Sequence, residues 1–97
     1  MRFVFQGEIW FWRGPSPFHF VTVPVDESAE VRSISALVSY GWGVIPVVVQ
    51  IGGTTWTTSM IPQSARYLVP VKVSVRTSES LDVGDVVELT VTVGIRE

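Results

Sequence analysis

The chain reads as one small, mainly β domain, and three observations predict it. First, valine dominates a composition that is 46% hydrophobic and only 16% charged. β-Branched apolar side chains suit a pleated, half-buried surface. A charge content below the roughly 25% of ordinary soluble chains argues for a compact body, neither disordered nor helical. Second, 97 residues make a single domain, one that buries roughly 60–65% of its unfolded surface. Third, the sequence echoes itself. Slid by 46 residues, Gly7 falls on Gly53, Trp10 on Trp56, Val23 on Val69, Pro24 on Pro70 and Val25 on Val71. Twice that period nearly spans the chain, so an internal duplication is expected, with halves of about residues 3–50 and 51–95.

Each half then predicts the same elements in the same order. Alternating side chains predict a strand from Phe3 to Trp12, followed by the proline-containing loop RGPSP from Arg13. A short strand, FHFVTVP, ends at Pro24. The segment DESAEVRSISAL predicts a helix, with Asp26 as N-cap, acidic residues in the first turn and Val31, Ile34 and Leu37 three apart. The GWG from Gly41 ends it, and VIPVVVQI from Val44 is a valine-rich strand. The second half begins with a turn at Gly52–Gly53 and a strand from Gly53 to Met60, then a loop, IPQSAR, and a strand, RYLVP. The next segment, VKVSVRTSESL from Val71, alternates as a strand does. The duplication places it in the slot of the first half's helix, with Pro70 at the position before it, and proline is tolerated at a helix start. A helix is therefore expected against the local pattern. LDVGD makes a tight turn in which Gly84 supplies a positive φ, and VVELTVTV is the last strand.

At this point a resemblance enters. The run GWGVIPVVVQIGGTTWTTSMIP, then YLVPVKVSVR, then LDVGDVVELTV, resembles the DUF1905 family, a domain of unknown function. FQGEIWFWRG and FHFVTVP match that family's N-terminal half. The resemblance implies a single-chain double-split β-barrel, a pseudobarrel capped by two short helices, similar to the barrel that AbrB and MazE build by dimerising. It also implies helix at Val71. It implies no activity. Some relatives join this domain to one linked to bacteriocin resistance, and none is expected within these residues. The chain departs from the family at QSARY, where a glycine-containing turn is more usual.

Several functions are excluded by composition. The chain has no cysteine and one histidine, His19, so thiolate and multi-histidine metal sites and cysteine nucleophiles are ruled out. Net charge is −2, the opposite of the balance usual in non-specific DNA binders. MRFVFQGE reaches a polar residue after three apolar ones, so no signal peptide is expected. The apolar run VIPVVV is far short of the ~20 residues that span a bilayer. A cytoplasmic protein without cofactor or metal is the expectation.

Candidate site residues come from two stretches. On a strand, Thr54, Trp56, Thr58 and Met60 share one face, and Thr55, Thr57 and Ser59 the other. Trp10 and Trp56 are read either as walls of an aromatic cleft, with Thr58 and Ser59 orienting a ligand, or as barrel filling, and the weight falls on filling. Trp12 and Trp42 lie beside loops and are expected to be partly exposed. Lys72 and Arg76 lie four apart, on one helix face, with Lys72 in a first turn that disfavours a cation. They suit an anion such as phosphate or carboxylate; the plain alternative is a solvated face pairing with Glu79 or Glu30. His19 is read as an ordinary strand histidine, having no carboxylate close in sequence to orient it. The ligand-binding set is thus Trp12, Trp56, Thr58, Ser59, Lys72 and Arg76, with no catalytic set. The leading function is a non-catalytic binding module for a small anionic or aromatic ligand or a protein partner, as a monomer or weak homodimer. The alternative is a nucleic-acid-binding transcriptional regulator, by analogy with AbrB- and MazE-type barrels.

Overall fold

The computed structural model describes residues 1–39 and 43–94. Their elements run β1 (Arg2–Glu8), β2 (Trp10–Trp12), β3 (Phe18–Thr22), α1 (Val25–Val38), β4 (Ile45–Ile51), β5 (Thr54–Gln63), β6 (Arg66–Pro70), α2 (Val73–Glu79) and β7 (Val86–Val93). The strands form one antiparallel sheet in the order β1-β7-β4-β5-β6-β3-β2, curled into a half-barrel. Its first and last members, β1 and β2, are consecutive in the chain with only Ile9 between them. The strand expected from Phe3 to Trp12 is therefore divided. Ile9 is fully buried, donates its N–H to the Asp85 carbonyl (2.9 Å) and accepts from the Gly84 N–H (2.8 Å). Gly84 has φ +95°, the left-handed geometry expected of the LDVGD turn.

β5 corrects the expected loop at Ile61. It runs on to Gln63, with Ile61, Pro62 and Gln63 facing Leu68, Tyr67 and Arg66. Only Ser64 and Ala65 form the turn. Proline is compatible here because, among the described residues, β4 pairs with β5 no further than Met60, so Pro62 has a ladder partner only in β6. Two-residue hairpins need positive φ, and Gly52 (φ +57°) meets that need in the β4–β5 turn. In the β5–β6 turn Ser64 adopts φ +54°, taking the conformation that the usual glycine would supply.

The helices bury one side each. α1 starts at Val25, with Pro24 as its N-cap residue and no side-chain cap. Asp26 is thus inside the first turn beside Glu27 and is not the cap. The fully buried Ser28 hydroxyl donates to the Val23 carbonyl (3.2 Å) and accepts from the Tyr67 N–H (3.3 Å), tying the helix start to β6. Val31 is fully buried and Ile34 and Val38 pack against the core, but Leu37 is 85% exposed. Steps of three drift around a 3.6-residue helix, so Leu37 leaves the face that Val38, seven residues from Val31, regains. The expected stop at Gly41 lies outside the described residues.

α2 confirms the helix expected against alternation, with a shifted start. Pro70 stays in β6 opposite Phe20, and the helix begins at Val73 with Lys72 as its N-cap. A strand would point Val73 and Val75 to one side; here Val75 is buried and Val73 is 68% exposed, as residues two apart on a helix require, and Val71 is buried just ahead of the cap. Seven residues are too few to hold a helix alone. Ser80 in the left-handed region lets the Leu81 N–H reach the Arg76 carbonyl (2.8 Å), and the Thr54 hydroxyl donates to the Glu79 carboxylate (2.6 Å).

The core lies inside the curl. Trp56, at 8% exposure, belongs to the same buried cluster as Met60, Ile45, Val49, Val69, Val75 and Leu89, as the filling reading expects. Trp10 does not join it: half-buried, it leans on Phe20 (5.5 Å) and donates its indole N–H to the Thr22 hydroxyl (2.9 Å). The threonines of the IGGTTWTT run divide by face, Thr55 and Thr57 exposed, Thr54 and Thr58 half-buried. Residues that coincide at the 46-residue slide also part company. Gly7 is inside β1 opposite Val87, where a Cβ would lie 2.5 Å from Val21 Cγ1, whereas Gly53 belongs to the hairpin turn.

Two stability predictions follow from these placements. Trp56→Ala should cost about 3–5 kcal/mol, the range for a large core aromatic, read by urea unfolding; a loss below about 1 kcal/mol would contradict its core role. Ser64→Gly should raise the unfolding free energy by about 0.5–1 kcal/mol, because glycine accepts the left-handed conformation without Cβ strain.

Candidate functional site

Strands β2 and β3 pair so that Phe11 faces His19, their rings 4.7 Å apart and inclined at 48°. The Val71 N–H donates to the His19 carbonyl (2.9 Å), which fixes the segment entering α2 against β3. A cleft of about 520 Å³ opens between them, within the size range of ligand pockets. Phe11, Pro17, Phe18, Val71 and Val73 make it mostly apolar, and His19, Lys72 and Arg76 are its polar members. The Arg13 guanidinium lies over the Phe11 ring at 5.7 Å, a cation–π distance.

The electrostatics of the cleft are positive. Lys72 is exposed; Arg76 is half-buried, and its Nε is buried with no hydrogen-bond partner among the described residues. Glu79, a possible partner for them on sequence grounds, instead accepts from Thr54. As N-cap residue, Lys72 precedes the first turn where a cation is disfavoured, and Arg76 is in the last turn, where it is favoured. His19 is held below its ordinary value of 6.5, first by burial and then by the Arg76 charge, while Asp82 opposes the shift. Its imidazole is therefore neutral at neutral pH. Arg76 also borders a polar groove of about 320 Å³ with Thr77, Ser80, Leu81 and Asp82.

The six residues chosen from sequence do not converge. Lys72 and Arg76 share the Phe11–His19 cleft. Trp12, 43% exposed as expected, and Thr58 border a second, apolar cleft of about 390 Å³ with Phe20, Ile61 and Pro70; Phe18 belongs to both. Trp56 lies in the core, and Ser59 is half-buried in β5 opposite Pro46. Trp10 and Trp56 are not two walls of one cleft, since Trp10 is on the outer side of the sheet with Phe20 and Leu68. Trp42 lies outside the described residues. Sequence reasoning passed over Phe11 and Phe18, and treated His19 as a plain strand residue. Placing the β2–β3 register across the RGPSP loop is the signal that would have brought Phe11 to His19. Among the described residues no three His, Asp or Glu side chains gather as metal ligands would.

A titration tests the electrostatic account. By ¹H NMR, His19 should titrate below 6.5; Arg76→Gln should move it up and Asp82→Asn should move it further down. An unmoved titration in Arg76→Gln would remove Arg76 as a cause. Because the folded chain binds this proton less readily than the unfolded one, the stability due to neutral His19 is complete above 6.5 and is lost as pH falls toward the folded value.

No helix among the described residues is long and apolar enough to cross a membrane. No curated protein matches the sequence. The family model described as Domain of unknown function (DUF1905) matches residues 5–91, most of the chain, and the protein belongs to that family.

Proposed function

We propose that this protein is a small cytoplasmic, non-catalytic binding module whose ligand is a small anion with an apolar body, held in the cleft between β2–β3 and α2. One observation carries the reading: two cations, Lys72 and Arg76, border a cleft that is otherwise apolar apart from His19, and among the described residues no carboxylate lines it. An oxyanion accepts charge-assisted hydrogen bonds from such cations while its apolar body covers the wall. The fold reading that goes with it is a single-chain double-split barrel descended from a duplication. The pairings support it at the level of elements. Exchanging β1–β2 with β5, β3 with β6 and β4 with β7 turns β1·β7 into β5·β4 and β2·β3 into β5·β6, and leaves β3·β6 and β4·β7 unchanged.

Native mass spectrometry of gently purified protein tests the function. A small retained mass should be present and should vanish in a Lys72→Ala, Arg76→Ala variant that keeps the parent's melting temperature. Chain that emerges empty, yet is retained on heparin in a steeply salt-dependent way, would transfer the reading to nucleic acid.

A further inference from the structure

We infer that the ligand is one flat aromatic ring system bearing an oxyanion, its ring against Phe11 and its charge between Lys72 and Arg76. The inference rests on the binding role proposed above and names the ligand class. Size argues first: a bare inorganic anion would fill little of 520 Å³ and leave the apolar wall wet. Wall chemistry argues second. The cleft carries an aromatic pair, Phe11 with His19, and Pro17, Val71 and Val73 extend its apolar wall. Aromatic faces and edges reward another ring with offset or edge-to-face contacts that an aliphatic chain does not make. Arg13 over Phe11 adds a cation on the same β2 side of the cleft.

The polar side is set apart from this wall. Lys72 and Arg76 come from the α2 side, whereas Phe11, Phe18 and His19 come from β2 and β3. A ligand whose anion is attached directly to a ring spans that division with few rotatable bonds to freeze, which lowers the cost of binding. Arg76 supplies a planar donor fork and Lys72 a mobile point charge, a combination that takes either carboxylate or phosphate. His19, between the two sides and neutral at neutral pH, gains a reason to protonate once the anion is bound.

The test is an NMR titration of the full ¹⁵N-labelled chain with benzoate, phenyl phosphate, benzyl alcohol, acetate and inorganic phosphate. Benzoate or phenyl phosphate should shift the amides of Phe11, His19 and Val71 to Arg76 saturably, at least ~10-fold more tightly than benzyl alcohol or the ring-free anions, a ratio equal to about 1.4 kcal/mol. The preference between the two names the oxyanion. Phe11→Leu should weaken the aryl anion several-fold and leave inorganic phosphate unchanged. Arg76→Gln should weaken both; if that variant does not fold, the exposed Lys72→Gln serves in its place. Inorganic phosphate binding as tightly as phenyl phosphate would overturn the aromatic requirement while leaving the anion site standing. Benzyl alcohol matching benzoate, or no shift with any probe, would overturn this inference and the anion-binding role together.

Discussion

The structure depends on the change of partner at Ile9. Before it, β1 lies along β7; after it, β2 lies along β3 at the far end of the sheet order. One residue accomplishes the switch because its backbone is held from both directions by the Gly84–Asp85 turn, and its side chain fills the core. The turn can offer the Gly84 N–H and the Asp85 carbonyl together because Gly84 is in a conformation that a side chain resists. Were β2 simply to continue along β7, Phe11 would not meet His19 and the cleft would lose one wall. A local rule about glycine thus reaches the candidate site through a single buried isoleucine.

The opposite wall is held by different means. α2 is too short to persist by its own hydrogen bonds, so its position is that of its anchors: Val75 in the core, the Val71 N–H on the His19 carbonyl, and Glu79 on Thr54 beside the Gly52–Gly53 turn. A side chain at Gly52 would run into the Glu79 carboxylate. Gly52 therefore serves twice, turning the β4–β5 hairpin and making room for the end of the helix that carries Arg76.

Much of the fold was legible because it is written in local chemistry. Alternation, proline and glycine marked most strands, and Gly84 marked its turn. The contested segment at Val71 shows where period misleads: valines two apart look like a strand face, and only the element order pointed to helix. Edges were harder. Asp26 has the right chemistry for a cap, yet Pro24 already ends the extended segment with its carbonyl accepting from the Ser28 N–H, and the helix starts ahead of Asp26. Ile61 to Gln63 read as a loop because of Pro62, whose suitability rests on β4 ending its pairing at Met60, a fact about the sheet and not about the proline. The site was half legible. Lys72 and Arg76 are neighbours through helical spacing, which sequence displays. Phe11, Phe18 and His19 join them through hairpin register and the packing of α2 on β3, which it does not.

Chain order carries one more consequence for a protein made from its N-terminus onward. β1 precedes the other described strands in chain order and its ladder partner among them, β7, follows them all, with Arg2 facing Thr92 and Phe5 facing Leu89. Until Val86–Val93 is made, β1 lacks the strand it pairs with, while β4, β5 and β6 can already form a meander among themselves. Closure is a late, long-range event. The pairing of β1 thus spans nearly the whole described chain, from Arg2 to Thr92.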